Sequence, residues 1–186
     1  TEDGTQVCSS NLTVTNDITC GTITTSTTLT QNLTSVGTCF TIGAANVVLD
    51  GAGYTLTGDG TGNGVHVNYA LNTTVKNFGS ITNYDRGVNL PGHNSTIYNN
   101  TIISTVASAH GIEDFGSNIN ISSNNITLSG NGAIGMYLAS INTHTISYNT
   151  ITLSGTNGQG LQFNTGPNAN NITYNKYSII TIETVG

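Results

Sequence analysis

Residues 146–153 read Ile146-Ser-Tyr-Asn149-Thr-Ile151-Thr-Leu153, an octet in which apolar side chains alternate with polar ones. Alternation is the period of a half-buried strand, since successive side chains leave a pleated backbone on opposite faces. The same phrase recurs outward from this point. An apolar residue followed three positions later by Asn stands at Ile97/Asn100, Ile121/Asn124, Ile146/Asn149 and Ile172/Asn175, so the Asn positions are spaced by 24, 25 and 26 residues. Val75 and Leu49 continue the apolar series backwards, with Phe78 and Ala52 in place of Asn. A second landmark keeps the same period. Glycines at 64, 87, 111, 135 and 160, each opening a GVHV-, GVNL-, GIED-, GMYL- or GLQF-like phrase, are spaced by 23, 24, 24 and 25.

Ser154-Gly155, Asn157-Gly158 and Gly166-Pro167 punctuate the strands as turn formers. Each unit supplies two or three short strands, none able to pair within its own unit, so its partner is the next unit. A coil of about 24 residues pairing in parallel with copies above and below is a β-solenoid. The fold class expected is therefore all-β, a parallel β-helix of about seven rungs, roughly 35 Å long at about 4.8 Å per rung. The recurring Asn has two readings at this stage: an amide ladder bonding along the axis, or a turn residue chosen for its tolerance of left-handed backbone. Both place it at a corner.

Composition narrows the classes of function. Of 186 residues, 33 are Thr, 16 Ser, 26 Asn and 23 Gly, while only 6% are charged, so uncharged polar groups must solvate this surface. The three cations, Lys76, Arg86 and Lys176, are too few to neutralise a phosphate track, which excludes nucleic acid as a partner. No apolar run approaches the roughly 18 residues a membrane span needs. The chain opens at Thr1 with no signal-like segment, and the expectation is a processed, exported product.

The stretch CGTITTSTTLTQNLTSVGTCFTIGAANVVLDGAGYTLTG from Cys20 to Gly58, with the units beginning NTTVKNF, NSTIYNNTI, NINISSNNITLSG and NTHTISYNTITLSG, resembles the right-handed parallel β-helix repeat family of pectate-lyase-like topology. The resemblance covers about residues 20–180. It implies a right-handed parallel β-helix over residues 20–186, with 1–19 as a preceding segment, a cap or an assembly strand. The family includes polysaccharide lyases and hydrolases, carbohydrate-binding surface proteins, adhesins and structural modules, so it specifies fold far better than function. It also implies a disulfide between Cys20 and Cys39, with Cys8–Cys20 as the competing pairing and Cys8 left over in the first case. No Cys or His cluster has the spacing of a metal site, and no cofactor is expected.

Aligning the units on the recurrent Gly sets side chains in columns. The position before Gly reads Asn63, Arg86, His110, Ile134, Gln159, and two after it His66, Asn89, Glu113, Tyr137, Gln162. Arg86, His110 and Glu113 thereby become neighbours on adjacent rungs, with Asp85 and Asp114 beside them. This group is the candidate catalytic or uronate-gripping site, set against the plainer reading of a surface ion pair. Lyases and hydrolases resembling this fold carry more acids, and residues 116–182 contain none, which argues against a calcium cluster and against catalysis. Asp114 falls in a column otherwise held by Val67, Leu90, Leu138 and Phe163. Because a buried charge is costly, the expectation is a local bulge that turns Asp114 outward and lets Phe115 fill the core. Tyr148 and Tyr174, at equivalent positions on neighbouring rungs, are candidates for stacking on a sugar or for simply covering a corner. Thr-x-Thr pairs such as Thr150/Thr152 form no uniform array, because the neighbouring rungs offer Asn125/Thr127 and Thr101/Ile103.

Eight Asn-x-Ser/Thr sequons stand at Asn11, Asn32, Asn72, Asn94, Asn99, Asn120, Asn125 and Asn171. Random order at this composition gives about seven, so the count carries little information, but each is a candidate N-glycosylation site, and sugars on a nearly uncharged rod would supply the solvation that charges do not. The function expected is that of a secreted, extracellular or cell-surface structural subunit, self-associating end to end because a solenoid exposes strand edges at both ends. The strand-like stretch Tyr177–Gly186 is the edge expected to join the next copy. The alternative is a polysaccharide-binding or polysaccharide-degrading β-helix using the Arg86/His110/Glu113 patch.

Overall fold

The computed structural model describes residues 18–139, 143–164 and 170–179. Cys8, sequon Asn11, nearly all of the 1–19 segment and residues 180–186 of the expected joining edge lie outside the described residues. Within them the chain is all-β and winds as a parallel β-solenoid whose three walls are seven-stranded parallel sheets. Seven strands per wall make six rung-to-rung steps, or about 29 Å of stack at about 4.8 Å each.

The first wall comprises Gly21–Ile23, Phe40–Ile42, Asn63–Val67, Arg86–Leu90, His110–Asp114, Ile134–Leu138 and Gln159–Phe163. The second is built from Thr27–Thr28, Val48–Asp50, Thr74–Lys76, Thr96–Tyr98, Asn120–Ser122, Thr145–Ser147 and Asn171–Thr173. Leu33–Thr34, Thr55–Thr57, Ser80–Thr82, Thr101–Ser104, Asn125–Leu128, Thr150–Leu153 and Lys176–Ile179 form the third. Alternation along the strands delivers at least one aliphatic row to the interior per wall. Val65, Val88, Ile112 and Met136 stack from the first, Leu49, Val75, Ile97, Ile121 and Ile146 from the second, and Leu56, Ile81, Ile102, Ile126 and Ile151 from the third. All are buried and belong to one hydrophobic cluster. A rung fills its interior only with a rung on either side, which is the physical source of the repeat.

The recurrent glycine answers to space. A Cβ at Gly111 would lie 2.5 Å from the next rung's Gly135 carbonyl oxygen and 2.6 Å from Ile126 Cγ2 of its own rung, and Gly87 and Gly135 meet the corresponding atoms at 2.5–2.6 Å. The backbone here turns from third wall to first against its own next copy, and any side chain would push the rungs apart.

The Asn series is a ladder. Asn124 donates through Nδ2 to Asn149 Oδ1 at 3.0 Å and to the Ile97 carbonyl at 2.9 Å, and its N–H donates to the same Asn149 Oδ1. Asn100 bonds to Asn124, and Asn149 to Asn175, in the same way. Phe78, which replaces Asn, still gives its N–H to Asn100 Oδ1. Left-handed backbone belongs to the preceding residue, as at Asn99, Tyr148 and Tyr174 with φ of 54°, 57° and 56°. The amides therefore satisfy backbone groups that the corner leaves unpaired. At the first rungs Cys20 and Cys39 are joined in a disulfide, one position before the Gly21–Phe40 register pair. It ties rung one to rung two.

The bulge expected at Asp114 is absent. Asp114 pairs in register with Leu90 and Leu138 and is fully buried, whereas Phe115 is about half exposed. The inward charge is met by two local groups that charge counting overlooked. Gly116 N–H donates to Oδ1 at 2.7 Å, and the equally buried His144 places Nε2 3.3 Å from Oδ2.

Candidate functional site

The site grows from the outward face of the first wall, where the columns expected from the glycine alignment are the observed register. Arg86 pairs with Asn63 and His110, and Asn89 with His66 and Glu113. Tyr137 and Gln162 continue the second column. Arg86, His110, Glu113 and Asp85 are brought together; Asp114 points the other way into the core.

Glu113 is the hub. Its Oε2 accepts from Arg86 Nε and Asn89 Nδ2, both at 2.5 Å, and its Oε1 accepts from His110 Nδ1 at 3.0 Å. Arg86 also pairs with Asp85. Burial pushes the Glu113 carboxyl upward, but the hydrogen bonds and positive charge of His110 and Arg86 outweigh it and hold the group below the usual glutamate value. A carboxylate so engaged is ionised at neutral pH, with both oxygens already held by neighbouring donors. It acts as an anchor.

The anchor fixes what surrounds it. With its amide nitrogen committed to Glu113, Asn89 turns Oδ1 to His66, whose Nδ1–H donates to it at 2.9 Å. His110 likewise carries its proton on Nδ1 when neutral, so both rings keep an Nε2 lone pair for other partners. His110 stacks on Tyr137 with ring centroids 5.2 Å apart, and Phe115 meets Tyr137 edge-on at 6.3 Å. Beside this network lies a cleft of about 460 Å³ lined by His66, Tyr69, Asn89, Pro91, His93 and Phe115. Tyr69 and Phe115 present exposed rings at its rim. Polar groups held in place by a buried ion-pair network, beside aromatic rings, can grip a ligand that has hydroxyls on its edges and C–H groups on its faces.

Sequence reasoning placed His66, Asn89 and Tyr137 in the right column but missed the cleft. Phe115 was assigned to the core, and Tyr69, Pro91 and His93 lie in turns that strand periodicity does not address. Tyr148 and Tyr174 do stack, with centroids 5.0 Å apart and planes 11° apart, on an exposed corner remote from the cleft. Each ring spends one face on the other.

The three walls differ in chemistry. From the third rung on, no first-wall strand contains Ser or Thr, while every strand of the other two walls contains at least one. The first-wall strands instead carry His66, Arg86, Asn89, His110, Glu113, Tyr137, Gln159 and Gln162. Among the described residues no three His, Cys, Asp or Glu lie close enough to hold a metal ion. No described helix is long and apolar enough to cross a membrane. Compared with family models, with curated proteins and with solved structures, the chain has no match.

Proposed function

We propose that this chain is a secreted β-solenoid that binds polysaccharide on its first wall without cleaving it. The observation that carries the reading is the cluster of His66, Arg86, His110, Glu113 and Tyr137 on the first wall beside the cleft, while the strands of the other two walls are mostly Ser, Thr and Asn between aliphatic rows and carry, among the described residues, one ion pair, Lys76–Asp50. The Cys20–Cys39 disulfide supports an oxidising, extracellular setting. The stacked parallel walls support a place in the right-handed parallel β-helix family of pectate-lyase-like topology, right-handed crossovers being the rule for parallel strands. The engagement of both Glu113 oxygens argues for binding over hydrolysis or lyase chemistry. The test is a glycan array that includes uronans, read with Phe115→Ala and Tyr69→Ala. Each variant is expected to weaken binding about tenfold, the loss of one aromatic–sugar contact, and Tyr148→Ala to leave it unchanged. No binding to any glycan, or unsaturated uronate accumulating from a uronan, contradicts the reading.

A second reading, assembly into filaments, is favoured by the last described rung. Asn171–Thr173 and Lys176–Ile179 each pair on one side only among the described residues, and Ile172, Tyr177 and Ile179 are exposed there. Open edges with apolar side chains recruit further strands. Electron microscopy of the purified chain tests it: rods far longer than one molecule support assembly, and uniform single particles at high concentration refute it.

A further inference from the structure

The sequons number no more than chance provides, but their placement is selective. All seven within the described residues are at exposed Asn, whereas the buried Asn89, Asn100, Asn124 and Asn149 belong to none. None lies on a first-wall strand: Asn63 and Asn89, the only Asn there, are followed by Gly-Val and Leu-Pro. On a strand the motif's alternation sends the amide and the hydroxyl two residues later to the same outward face, so an accessible Asn brings its Ser or Thr with it.

Hydrogen bonding divides the seven. Asn72 and Asn99 commit Nδ2 to Asn46 and Asn77 of the rung before, and Asn32 and Asn94 use Oδ1 to hold Thr55 N–H and Asn118. Asn120, Asn125 and Asn171 stand at the first positions of second- and third-wall strands, exposed, with no side-chain hydrogen bond to another of the described residues. Asn120 and Asn171 share one column two rungs apart through Thr145, about 10 Å, which is room for two glycans.

We propose that Asn120, Asn125 and Asn171 are N-glycosylation sites, so that the second and third walls carry sugar while the first stays bare. In the transfer, the C1–O bond of a lipid-pyrophosphate-linked oligosaccharide breaks and a C1–Nδ2 bond forms. The amide gives up one proton, and the lipid pyrophosphate leaves. The glycans supply the hydration that a surface with few charges lacks, and they occupy no part of the cleft. This assignment does not depend on what the first wall binds.

The test is peptide mapping of the full chain secreted from cells with Asn-linked glycosylation, after amidase release in H₂¹⁸O, which leaves ¹⁸O-labelled Asp at each formerly occupied Asn. Label at two or more of Asn120, Asn125 and Asn171 is expected. A triple Ser122→Ala, Thr127→Ala, Thr173→Ala variant, which keeps every Asn, should lose those glycans from its intact mass. Secreted wild-type chain with unlabelled Asn at two or more of the three sites overturns the proposal, whether or not the triple variant folds.

Discussion

Replacing Asp114 with Asn should change how stability depends on pH. Burial lifts the Asp114 carboxyl from 3.8 to about 7, with the Gly116 N–H pulling weakly the other way. His144 Nδ1 accepts from Ile119 N–H at 3.2 Å, so its neutral ring turns Nε2–H towards Oδ2. The 3.3 Å contact is close enough for charge pairing, yet Oδ2 lacks a well-directed hydrogen bond, and desolvation prevails. A carboxyl with a raised folded pKa makes its full contribution to stability below its unfolded value, near 4, and loses it as pH climbs towards 7. A three-unit rise at about 1.4 kcal/mol per unit makes that loss about 4 kcal/mol. Asn has the same shape and does not titrate. Urea denaturation of wild type and Asp114→Asn at several pH values from 4 to 8 should therefore show the variant gaining about 4 kcal/mol relative to wild type over that range, whatever its offset at pH 4. Parallel curves would refute the reasoning, showing that the Asp114–His144 contact compensates the buried charge in full.

Asn124→Ala removes a buried amide and strands Asn100 N–H and the Ile97 carbonyl, so it should cost about 3 kcal/mol, whereas exposed Asn120→Ala should stay within about 0.5 kcal/mol; denaturant midpoints distinguish them. Gly111→Ala drives a Cβ to 2.5 Å from the next rung's carbonyl oxygen and should destabilise by about 2–3 kcal/mol, read as a lower melting temperature. Cys39→Ser opens a link spanning 19 residues and should cost about 3 kcal/mol in the chain-entropy model, with hydrogen exchange rising first in the rungs nearest Cys20.

The fold was legible because a solenoid writes its geometry as a linear period: once the glycines at 64, 87, 111, 135 and 160 are aligned, Arg86, His110 and Glu113 fall into contact by arithmetic. Asp114 escaped for an instructive reason. Alternation alone points it inward, and the cost of a lone buried charge argues the other way, because the partner that offsets it, His144, sits 30 positions along the chain, where neither period pairs it with Asp114. The cleft was illegible because Tyr69 and His93 lie in turns, where no period constrains direction. That Glu113 serves as an anchor depends on which atoms meet its two oxygens, and spacing carries no such information.

The register of the first wall is what everything above requires, and crosslinking measures it directly. Ile134→Cys and Gln159→Cys, register partners on adjacent rungs, should form a disulfide under mild oxidation in the folded protein, while Ile134→Cys with Gln162→Cys, displaced three residues or about 10 Å along the strand, should not. Efficient bridging of the displaced pair, with none in the aligned one, would contradict the stacked columns and the site built on them.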